Sequence, residues 1–443
     1  MKDFFKKLLI VVLTLEARLI VRRYKPKIVA ITGSVGKTST KDAIYAVLSQ
    51  GAHVRKSHKS FNSEIGLPLT IIGVPNAWNN PLRWLQNLLD GLFLLVWRAH
   101  YPQWLVLEVG ADRPGDIRSV AKWMPVTVAV ITRLPEVMAH VEFFDSPQAV
   151  VEEKGALIDA LVPDGTLVLY ADDERAATFA QRLDRGHSMA EGAGDKKIIT
   201  FGLSPQADVR AENLRILFIE GKSHIPLGMS AELVLDGARA PIELIGTVGG
   251  HTLLPALAAA AVGKALDKSI ADIAQALARY EPPAGRMHLV DGVKDTVIID
   301  DTYNSSPAAA VAALDTLAFI NPSGRKIAVL GDMLELGRHS AEEHRKIGAY
   351  AARAADLLMT VGFRARGIAE GALDAGMDEN KILQFEDAYK AGEELSALTS
   401  AGDCVLVKGS QSMRMEHTVR ALMAEPERAA ELLVRQDEEW RRR

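Results

Sequence analysis

The sequence has a single cysteine, few aromatic residues and no excess of basic charge. Cys404 is the one cysteine among 443 residues, which excludes an internal disulfide framework, and its apolar run is typical of a small buried strand residue. Aromatic residues make up 6% of the chain, and the formal net charge is −4. A general nucleic-acid-binding protein would carry a basic stripe, so we expect no nucleic-acid partner.

Long apolar runs are also absent. The apolar run at residues 8–15 is shorter than the about 20 residues that span a bilayer, and no small-residue cleavage site follows it. Two stretches, residues 4–24 and 81–97, nevertheless combine apolar side chains with basic or aromatic ones. Each can be a helix lying in a membrane interface, or a helix packed on the core or on a partner subunit. We expect a cytoplasmic protein and leave peripheral association with the inner face of the membrane open.

The sequence does contain a regular alternation of apolar strand-like runs and helical patterns. With 443 residues, 48% apolar and 24% charged, the chain is long enough for two or three domains with full cores. The alternation predicts an α/β fold of parallel sheets covered by helices, and the Pro-Pro-Ala-Gly segment at 282–285 predicts a linker. The predicted units are a basic and apolar N-terminal helix (1–26), a central α/β domain (27–284), a C-terminal doubly wound Rossmann-like domain (285–424) and a charged tail that is solvated or frayed (425–443).

The predicted elements follow from the same periodicities. In the central domain we expect strands at 27–32, 104–109 and 126–132, helices at 38–48 and 146–161, short strands between 198 and 248, and a helical pair at 251–265 and 270–280. In the C-terminal domain we expect strands near 297–300, 326–330, 357–361 and 404–408, with helices between them.

Residues 30–40, Ala-Ile-Thr-Gly-Ser-Val-Gly-Lys-Thr-Ser-Thr, form the most informative motif. They follow an apolar strand and precede a helical pattern. Backbone N–H groups of such a loop point at phosphate oxygens, and the helix N-terminus adds partial positive charge. Lys37 is placed to reach the outer phosphates and Thr38 to hold Mg²⁺. Ile31 stands where the first Walker glycine should be, so an ordinary glycine turn is the alternative. The predicted nucleotide-binding residues of this loop are Gly33, Ser34, Val35, Gly36, Lys37, Thr38 and Ser39.

Two further residues, Glu108 and His140, lie where a phosphate site could use them, and a third, Lys154, gains a role only from the family resemblance given below. Glu108 ends an apolar strand, and its carboxylate is a hard oxygen donor of the kind that Mg²⁺ prefers. His140 follows the strand at 126–132, at the carboxyl edge where open sheets bind ligands. Lys154 lies in a helical pattern. Taken alone, His140 is an ordinary loop histidine and Lys154 a solvated helix lysine.

Six segments, in the family's order, resemble the Mur ligases. The similarity extends over about residues 27–424 and is greatest to the MurF type, which joins D-alanyl-D-alanine to UDP-N-acetylmuramoyl-tripeptide. It implies a central P-loop ATPase domain with a parallel sheet, a C-terminal Rossmann-like domain, and an ATP-dependent acid–amino-acid ligase that forms an acyl phosphate before the amide. The six segments are residues 31–40, 61–68, 107–111, 300–307, 329–337 and 407–410.

The resemblance also implies roles for individual residues. Lys37 and Thr38 would bind the phosphates and a first Mg²⁺ ion, with Glu108 near that metal. His140 and a carbamylated Lys154 would serve a second Mg²⁺ ion. The other implied contacts to ATP are those of Arg286 with the γ-phosphate, Asp301 with the ribose and His251 near the adenine. The resemblance thus gives the catalytic roles to Lys37, His140, Lys154 and Arg286.

The sequence departs from the MurF pattern where the sugar nucleotide and the adenine are recognised. About 30 residues precede the loop in place of a uridine-binding domain, and Ser63, Ser306, Thr252 and Pro255 stand where asparagines are usual. The expected partners are ATP, a carboxylate-bearing cell-wall precursor (UDP-linked or lipid-linked) and an amine donor. The alternatives are a same-fold ligase for another acid, as in poly-amino-acid synthetases, and a non-catalytic ATP-binding scaffold. A scaffold is disfavoured because it needs no ligands for a second metal.

Overall fold

A computed structural model of the protein describes residues 2–57, 64–136, 141–187, 196–437 and 440. It contains a nine-stranded and a six-stranded sheet, both covered by helices, so the predicted α/β fold is confirmed. Of the residues singled out above, His140 and the motif residues 61–63 lie outside the described part of the chain.

The larger sheet has the strand order β2-β3-β1-β4-β5-β6-β7-β8-β9. The first seven strands in this order pair in parallel, and the β7-β8-β9 meander is antiparallel. The central strands are apolar throughout because helices cover both of their faces. The strands are β1 Lys27–Thr32, β2 Val54–Lys56, β3 Trp104–Glu108, β4 Val126–Ile131, β5 Leu161–Tyr170, β6 Lys197–Gly202, β7 Val209–Ile219, β8 Lys222–Leu235 and β9 Ala238–Ile245.

Nine helices accompany this sheet in the described residues. The Ala-rich helix α8 is buried from Pro255 to Gly263, because its small side chains let it pack closely against α2 and the sheet. The helices are α1 Lys2–Tyr24, α2 Lys37–Ser49, α3 Gly66–Ile72, α4 Pro81–Val96, α5 Asp116–Ala121, α6 Pro147–Gly155, α7 Glu174–His187, α8 Leu254–Ala265 and α9 Ile270–Leu277.

The smaller sheet has the order β10-β11-β15-β12-β13-β14, with β10 antiparallel and the others parallel. This is the doubly wound arrangement that the sequence predicted. Its strands are β10 His288–Gly292, β11 Thr296–Asp301, β12 Lys326–Gly331, β13 Leu357–Val361, β14 Ile382–Phe385 and β15 Cys404–Lys408. Its helices are α10 Pro307–Phe319, α11 Ser340–Ala354, α12 Arg366–Asp374, α13 Ala388–Leu398, α14 Glu416–Leu422 and α15 Ala429–Leu432.

The structure differs from the sequence prediction at several elements. The helix expected over 146–161 ends at Gly155, continues as a 3₁₀ turn over Ala156–Ala160 and gives way to β5. The edge strands β10 and β14 were not predicted, because each is short and only partly buried. The segment expected to hold short strands forms the long β7-β8-β9 meander.

The charged tail packs on the C-terminal domain through Ala429, Leu433 and Arg435, so the prediction of a solvated or frayed end is wrong there, while residues 425–428 are exposed as predicted. Ala429 and Leu433 are buried, and the Arg435 guanidinium forms a buried ion pair with Glu416 at 2.8 Å. A tail rich in charge can be buried here because its arginine meets a carboxylate and two backbone carbonyls.

Helix α1 lies against α3 and α4 at one side of the larger sheet. Its buried side chains, Leu13, Ala17, Ile20 and Val21, join the core beneath β1 and β3, while the opposite side of the helix is exposed. Within the described ranges, no helix combines the length and apolarity needed to cross a bilayer.

Candidate active site

The predicted phosphate-binding loop, which we call the phosphate-type loop, comprises residues 33–36. It lies between β1 and α2, at the carboxyl edge of the larger sheet. Gly33 has φ +140°, and a Cβ atom there would lie 2.0 Å from Thr132 Oγ1, so only glycine fits against β4's end. Gly36 has φ 84° and precedes the first residue of α2. The loop therefore adopts the tight turn before a helix N-terminus that phosphate binding requires.

A buried pair of oxygen donors adjoins the loop. Thr38 Oγ1 donates a hydrogen bond of 2.9 Å to Glu108 Oε2, and both residues are buried. A hydroxyl and a carboxylate at this distance are hard donors that suit Mg²⁺. Thr38 and Glu108 line a cleft beside the loop, and Asp112, four residues after Glu108, lines the same cleft. Among the described residues, no three His, Cys, Asp or Glu side chains cluster as a metal site, so any cation here would need other oxygen ligands as well.

Two lysines converge on one carbonyl of the loop. Lys37 Nζ and Lys154 Nζ each donate to Gly33 O at 3.0 Å, so their ammonium groups lie within about 6 Å of each other. Burial lowers the pKa of Lys37. Burial, with the nearby Lys37 cation adding to it, lowers the pKa of Lys154 to about 7. A substantial fraction of Lys154 is thus a neutral amine at physiological pH.

Lys154 is 3% exposed, which overturns its interpretation as a solvated helix lysine. Its neighbour explains the orientation of α6. Glu153 Oε1 accepts hydrogen bonds from the backbone N–H groups of Ile117 (2.8 Å) and Arg118 (3.1 Å) at the start of α5. This buried carboxylate fixes α6 on α5. The next residue, Lys154, is thereby directed at the loop.

Arg286 connects the linker to the loop. Its Nη2 donates to Thr38 Oγ1 at 3.1 Å, and its guanidinium lies 4.1 Å from the Tyr303 ring centroid. Arg286 Nε and Ser34 Oγ are buried without a hydrogen-bond partner in the described structure. Unpaired buried donors beside a phosphate-type loop leave hydrogen-bonding capacity for the oxygens of an anion.

Asp301 is fixed at the junction between the two sheets. It accepts from Lys408 Nζ at 2.6 Å and from the backbone N–H of Met287 at 3.2 Å, and Lys408 also donates to Asn304 O. Lys408 is 2% exposed and was missed as a site residue. A lysine at the end of a wholly apolar strand is buried only if it has a charged partner. The sequence Cys-Val-Leu-Val-Lys at 404–408 could therefore have indicated that Lys408 belongs to a site.

A second cavity adjoins the loop and has aromatic and apolar walls. Tyr170, Phe201, His251 and Thr252 line it together with Asp301. Burial lowers the pKa of His251 to about 4, so its imidazole is neutral at physiological pH. The cavity thus offers aromatic and apolar side chains, a neutral imidazole and the Asp301 carboxylate next to the predicted phosphate-binding loop.

The structure brings most of the predicted site residues together. Five of them meet at the loop, namely Lys37, Thr38, Glu108, Lys154 and Arg286. Two others, His251 and Asp301, line the adjoining cavity. Tyr303, whose aromatic ring lies against the Arg286 guanidinium, was not predicted as a site residue. Its place opposite the linker depends on the packing of two domains.

A parallel sheet with a phosphate-type loop, facing a doubly wound domain whose linker arginine reaches that loop, defines a two-domain nucleotide-dependent enzyme. The chain belongs to the Mur ligase family, whose members are ATP-dependent ligases. Residues 31–82 and 86–263 match the Mur ligase middle domain, and residues 285–411 match the domain described as "Mur ligase, glutamate ligase domain".

Individual relatives agree with this family. The UDP-N-acetylmuramoyl-tripeptide–D-alanyl-D-alanine ligase of Mycobacterium leprae is 30% identical over 409 residues, covering 87% of this chain and 71% of the relative. The enzyme of that name from Bacillus subtilis is 27% identical over 401 residues, covering 90% and 76%. The crystal structure of Thermotoga maritima MurF ligase in complex with ADP superposes with a TM-score of 0.73 at 24% identity, covering 95% of this chain and 85% of that one.

Proposed function

We propose that the protein uses ATP to join a carboxylate-bearing cell-wall precursor of the muramoyl-peptide type to an amino acid or dipeptide, as a MurF-like ligase. The observation that carries the proposal is the convergence of Lys37, Thr38, Glu108 and Arg286 on one loop. These groups are the cations and oxygen donors that phosphoryl transfer needs, since its catalysis is mainly positioning and electrostatic stabilisation.

The proposed reaction has two steps. A carboxylate oxygen of the acceptor attacks the γ-phosphorus of ATP, the bond to the β–γ bridging oxygen breaks, and ADP leaves. The amine nitrogen of the second substrate then attacks the acyl carbon, the carbon–oxygen bond to phosphate breaks, and the nitrogen loses a proton to solvent. Lys37 and Arg286 neutralise the charge on the transferred phosphoryl group, and the second cavity holds the base and ribose with His251 and Asp301.

Magnesium fits the donors present. Thr38 and Glu108 would hold a first ion, and His140 with a modified Lys154 would hold a second. Bound Mg²⁺ neutralises phosphate charge as a Lewis acid. The hydrogen bond of 2.9 Å between Thr38 Oγ1 and Glu108 Oε2 supports the first assignment, because it holds two oxygen ligands side by side next to the loop.

The modification that we propose for Lys154 is a carbamate. The neutral Nζ attacks carbon dioxide, a nitrogen–carbon bond forms, and one proton leaves to water. The product is an anion where the unmodified residue places a second cation next to Lys37. A lysine whose pKa lies at about 7 is suited to this reaction, since only the neutral amine is a nucleophile.

An acceptor panel tests the proposal. Release of ADP and phosphate is measured with UDP-muramoyl peptides, lipid-linked muramoyl peptides and free amino acids, each with and without an amine donor. We expect ADP release that requires an acceptor, and a product heavier by the amine minus water. ADP release with a non-muramoyl acid would favour the same-fold alternative. A chain that binds ATP but gives no turnover with any acceptor would be a scaffold.

Lys37→Ala tests the phosphate loop itself. We expect turnover to fall by about 10²–10³-fold, because one charge-assisted contact to the transferred group is lost. Lys390→Ala, an exposed lysine on α13, is the matched control and should keep full activity. Circular dichroism verifies that both variants are folded. Near-normal turnover in Lys37→Ala would contradict the assignment of the loop.

We also propose that the enzyme acts in the cytoplasm at the inner face of the membrane, on an acceptor held there. The support is the neighbouring pair α1 and α4, which exposes apolar side chains beside basic ones. Comparing turnover of the same muramoyl peptide in UDP-linked and vesicle-embedded form tests it. A preference for the vesicle-embedded acceptor is expected, and equal or better turnover of the UDP-linked form would contradict it.

A further inference from the structure

The exposed side of the α1–α4 pair concentrates large apolar side chains. Of the 25 large apolar side chains that are exposed in the described residues, 12 belong to α1, α4 and the residues next to α4. We refer to these 12 as the apolar face. They are Leu8, Val11, Leu15 and Leu19 of α1, and Trp78, Leu82, Leu85, Leu89, Leu92, Phe93, Val96 and Trp97 of α4 and its flanks.

The apolar face follows helical periodicity on both helices. Exposed leucine and valine recur every three or four residues along each, which places them on one stripe. The opposite stripe of α1 lies in the core. Helix α4 buries Asn87 and Gly91 fully and packs four further side chains against the core as half-buried contacts, namely Trp84, Leu88, Leu94 and Leu95. Helix α4 thus presents to the outside the apolar stripe that a globular protein would bury, and a patch this extended marks an interaction site.

The two helices are held in a defined pose. Tyr24 Oη donates to Leu94 O (2.9 Å) and Trp97 O (3.2 Å), and it accepts from the backbone N–H of Ala99. Its ring stacks on Tyr101 at 4.5 Å. The end of α4 is therefore fastened to the end of α1, and the apolar face is a preformed surface.

Charge indicates what covers this face. Residues 1–25 and 74–100 carry nine Lys and Arg against three Asp and Glu, in a chain whose net charge is −4. One of the three acidic residues, Glu16, has its Oε2 buried where α1 meets Gly91 of α4, so it adds little negative charge to the surface. Trp78 and Trp97 of the apolar face are 53% and 59% exposed, and tryptophan is a residue that anchors proteins at bilayer interfaces.

We propose that the apolar face docks onto an anionic phospholipid bilayer, with α1 and α4 lying in the interface and their basic residues on lipid headgroups. Apolar burial and headgroup attraction act together in such binding. A second copy of the chain is disfavoured as the occupant, because a two-fold contact would oppose two surfaces of the same positive charge. The inference extends the proposed location of the enzyme. Because lipid binding is measured without ATP or acceptor, its failure would leave the ligase proposal standing.

Vesicle co-sedimentation of the full chain tests the inference. The vesicles are phosphatidylcholine alone and phosphatidylcholine with phosphatidylglycerol. We expect binding to the anionic vesicles, at least tenfold weaker binding to the neutral ones, and a decrease with added salt. The chain should be monomeric by light scattering. Absence of binding to anionic vesicles would overturn the proposal.

Paired variants locate the surface. Leu85→Glu with Phe93→Glu changes two side chains of the apolar face that are 55% and 51% exposed, and it should lower binding at least tenfold. Phe319→Glu with Phe363→Glu, 73% and 77% exposed elsewhere, is the matched control and should bind as the unchanged chain does. Deleting α1 is avoided, because it would uncover core residues.

Three outcomes would overturn the location. The first is equal binding by the Leu85→Glu/Phe93→Glu variant and the unchanged chain. The second is an equal loss of binding in the control pair. The third is a dimer that the Leu85→Glu/Phe93→Glu variant converts to a monomer while the unchanged chain stays off vesicles. Thermal unfolding of all variants shows that lost binding is not lost folding.

Discussion

At the scale of single residues, charge decides what Lys154 can do. Its ammonium group shares the carbonyl of Gly33 with Lys37 and is buried, and each of these facts disfavours the protonated form. A pKa of about 7 means that acidification below pH 7 converts the amine to the cation. A carbamate, once formed, would replace this repulsion with attraction.

The first prediction follows for Lys154. Lys154→Ala should nearly abolish turnover and should not respond to bicarbonate, while acetate should restore part of the activity by supplying oxygen donors. In the unchanged protein, activity should fall as the pH drops below about 7, since the neutral amine disappears. Enzyme equilibrated with ¹³C-bicarbonate should show a carbamate signal by NMR that Lys154→Ala lacks. Full activity in Lys154→Ala would contradict the proposal.

At the scale of elements, the charged tail is tied to the loop that carries the site. Arg435 donates to the carbonyl of Thr302 at 3.0 Å and to that of Tyr303, and its ion pair with Glu416 is almost completely buried. Because Tyr303 supports Arg286, the tail stabilises one wall of the cleft from behind.

Substitution of Arg435 tests this connection. Arg435→Met removes the partner of the buried Glu416 Oε2, while Arg414 still donates to Oε1 at 2.6 Å, so the free energy of unfolding should fall by about 1–3 kcal/mol in urea titrations. Arg435→Met combined with Glu416→Leu should lose less than the sum of the single changes, because the buried carboxylate that each single change leaves with one partner fewer, or takes from Arg435, is then absent together with Arg435. Arg428→Met, an exposed arginine of the same tail, is the control. Additive losses would show that the two residues are not coupled.

The contact between α1 and α4 has a titrating group of its own. Burial raises the pKa of Glu16 from 4.5 to about 7 because it removes water from the carboxylate, and Glu16 Oε2 has no hydrogen-bond partner in the described structure. The folded state therefore favours the protonated carboxyl. Its contribution to stability is complete below about pH 4.5 and is lost as the pH rises through 7.

Glu16→Gln should remove this pH dependence. We expect the unfolding temperature of the variant to exceed that of the unchanged protein at pH 8 and to approach it at pH 5, as measured by differential scanning fluorimetry. Glu64→Gln, on an exposed residue outside the helix pair, should leave the profile unaltered. A Glu16→Gln profile parallel to that of the unchanged protein would contradict the assignment.

Local elements were predictable because their causes are local. The sequence around Gly33, Gly36 and Lys37 encodes a strand, a turn with positive φ and a helix start, and the structure contains all three. The burial of Lys154 was not predictable, since the carbonyl that receives it lies 121 residues away. The same holds for Arg435, whose partner carbonyl is 133 residues distant. Side chains are predictable where their neighbours in sequence are also their neighbours in space.

At the scale of the whole molecule, the linker joins the two sheets through the site itself. Arg286 reaches the phosphate-type loop, and the next residue, Met287, donates its N–H to Asp301 at the end of β11. Two consecutive linker residues, Arg286 and Met287, thus contact α2 at the loop and the C-terminal domain, respectively. A triphosphate bound at the loop would therefore contact a residue whose neighbour is hydrogen-bonded to the C-terminal domain. Such a connection allows binding to bring the two domains together.

The last prediction concerns this connection and uses Arg286→Lys. Lysine keeps the charge but loses the planar fork that can hold two phosphate oxygens while resting on the Tyr303 ring. If Arg286 contacts the γ-phosphate, calorimetry should show at least a tenfold loss of affinity for a non-hydrolysable ATP analogue with little change for ADP, and turnover should fall with it. Arg353→Lys, an arginine beside the Tyr350 ring on α11, should leave both affinities unchanged. Equal losses for ADP and the analogue would instead mean that Arg286 acts on the inner phosphates or on the pose of the loop, and the γ-phosphate assignment would fail.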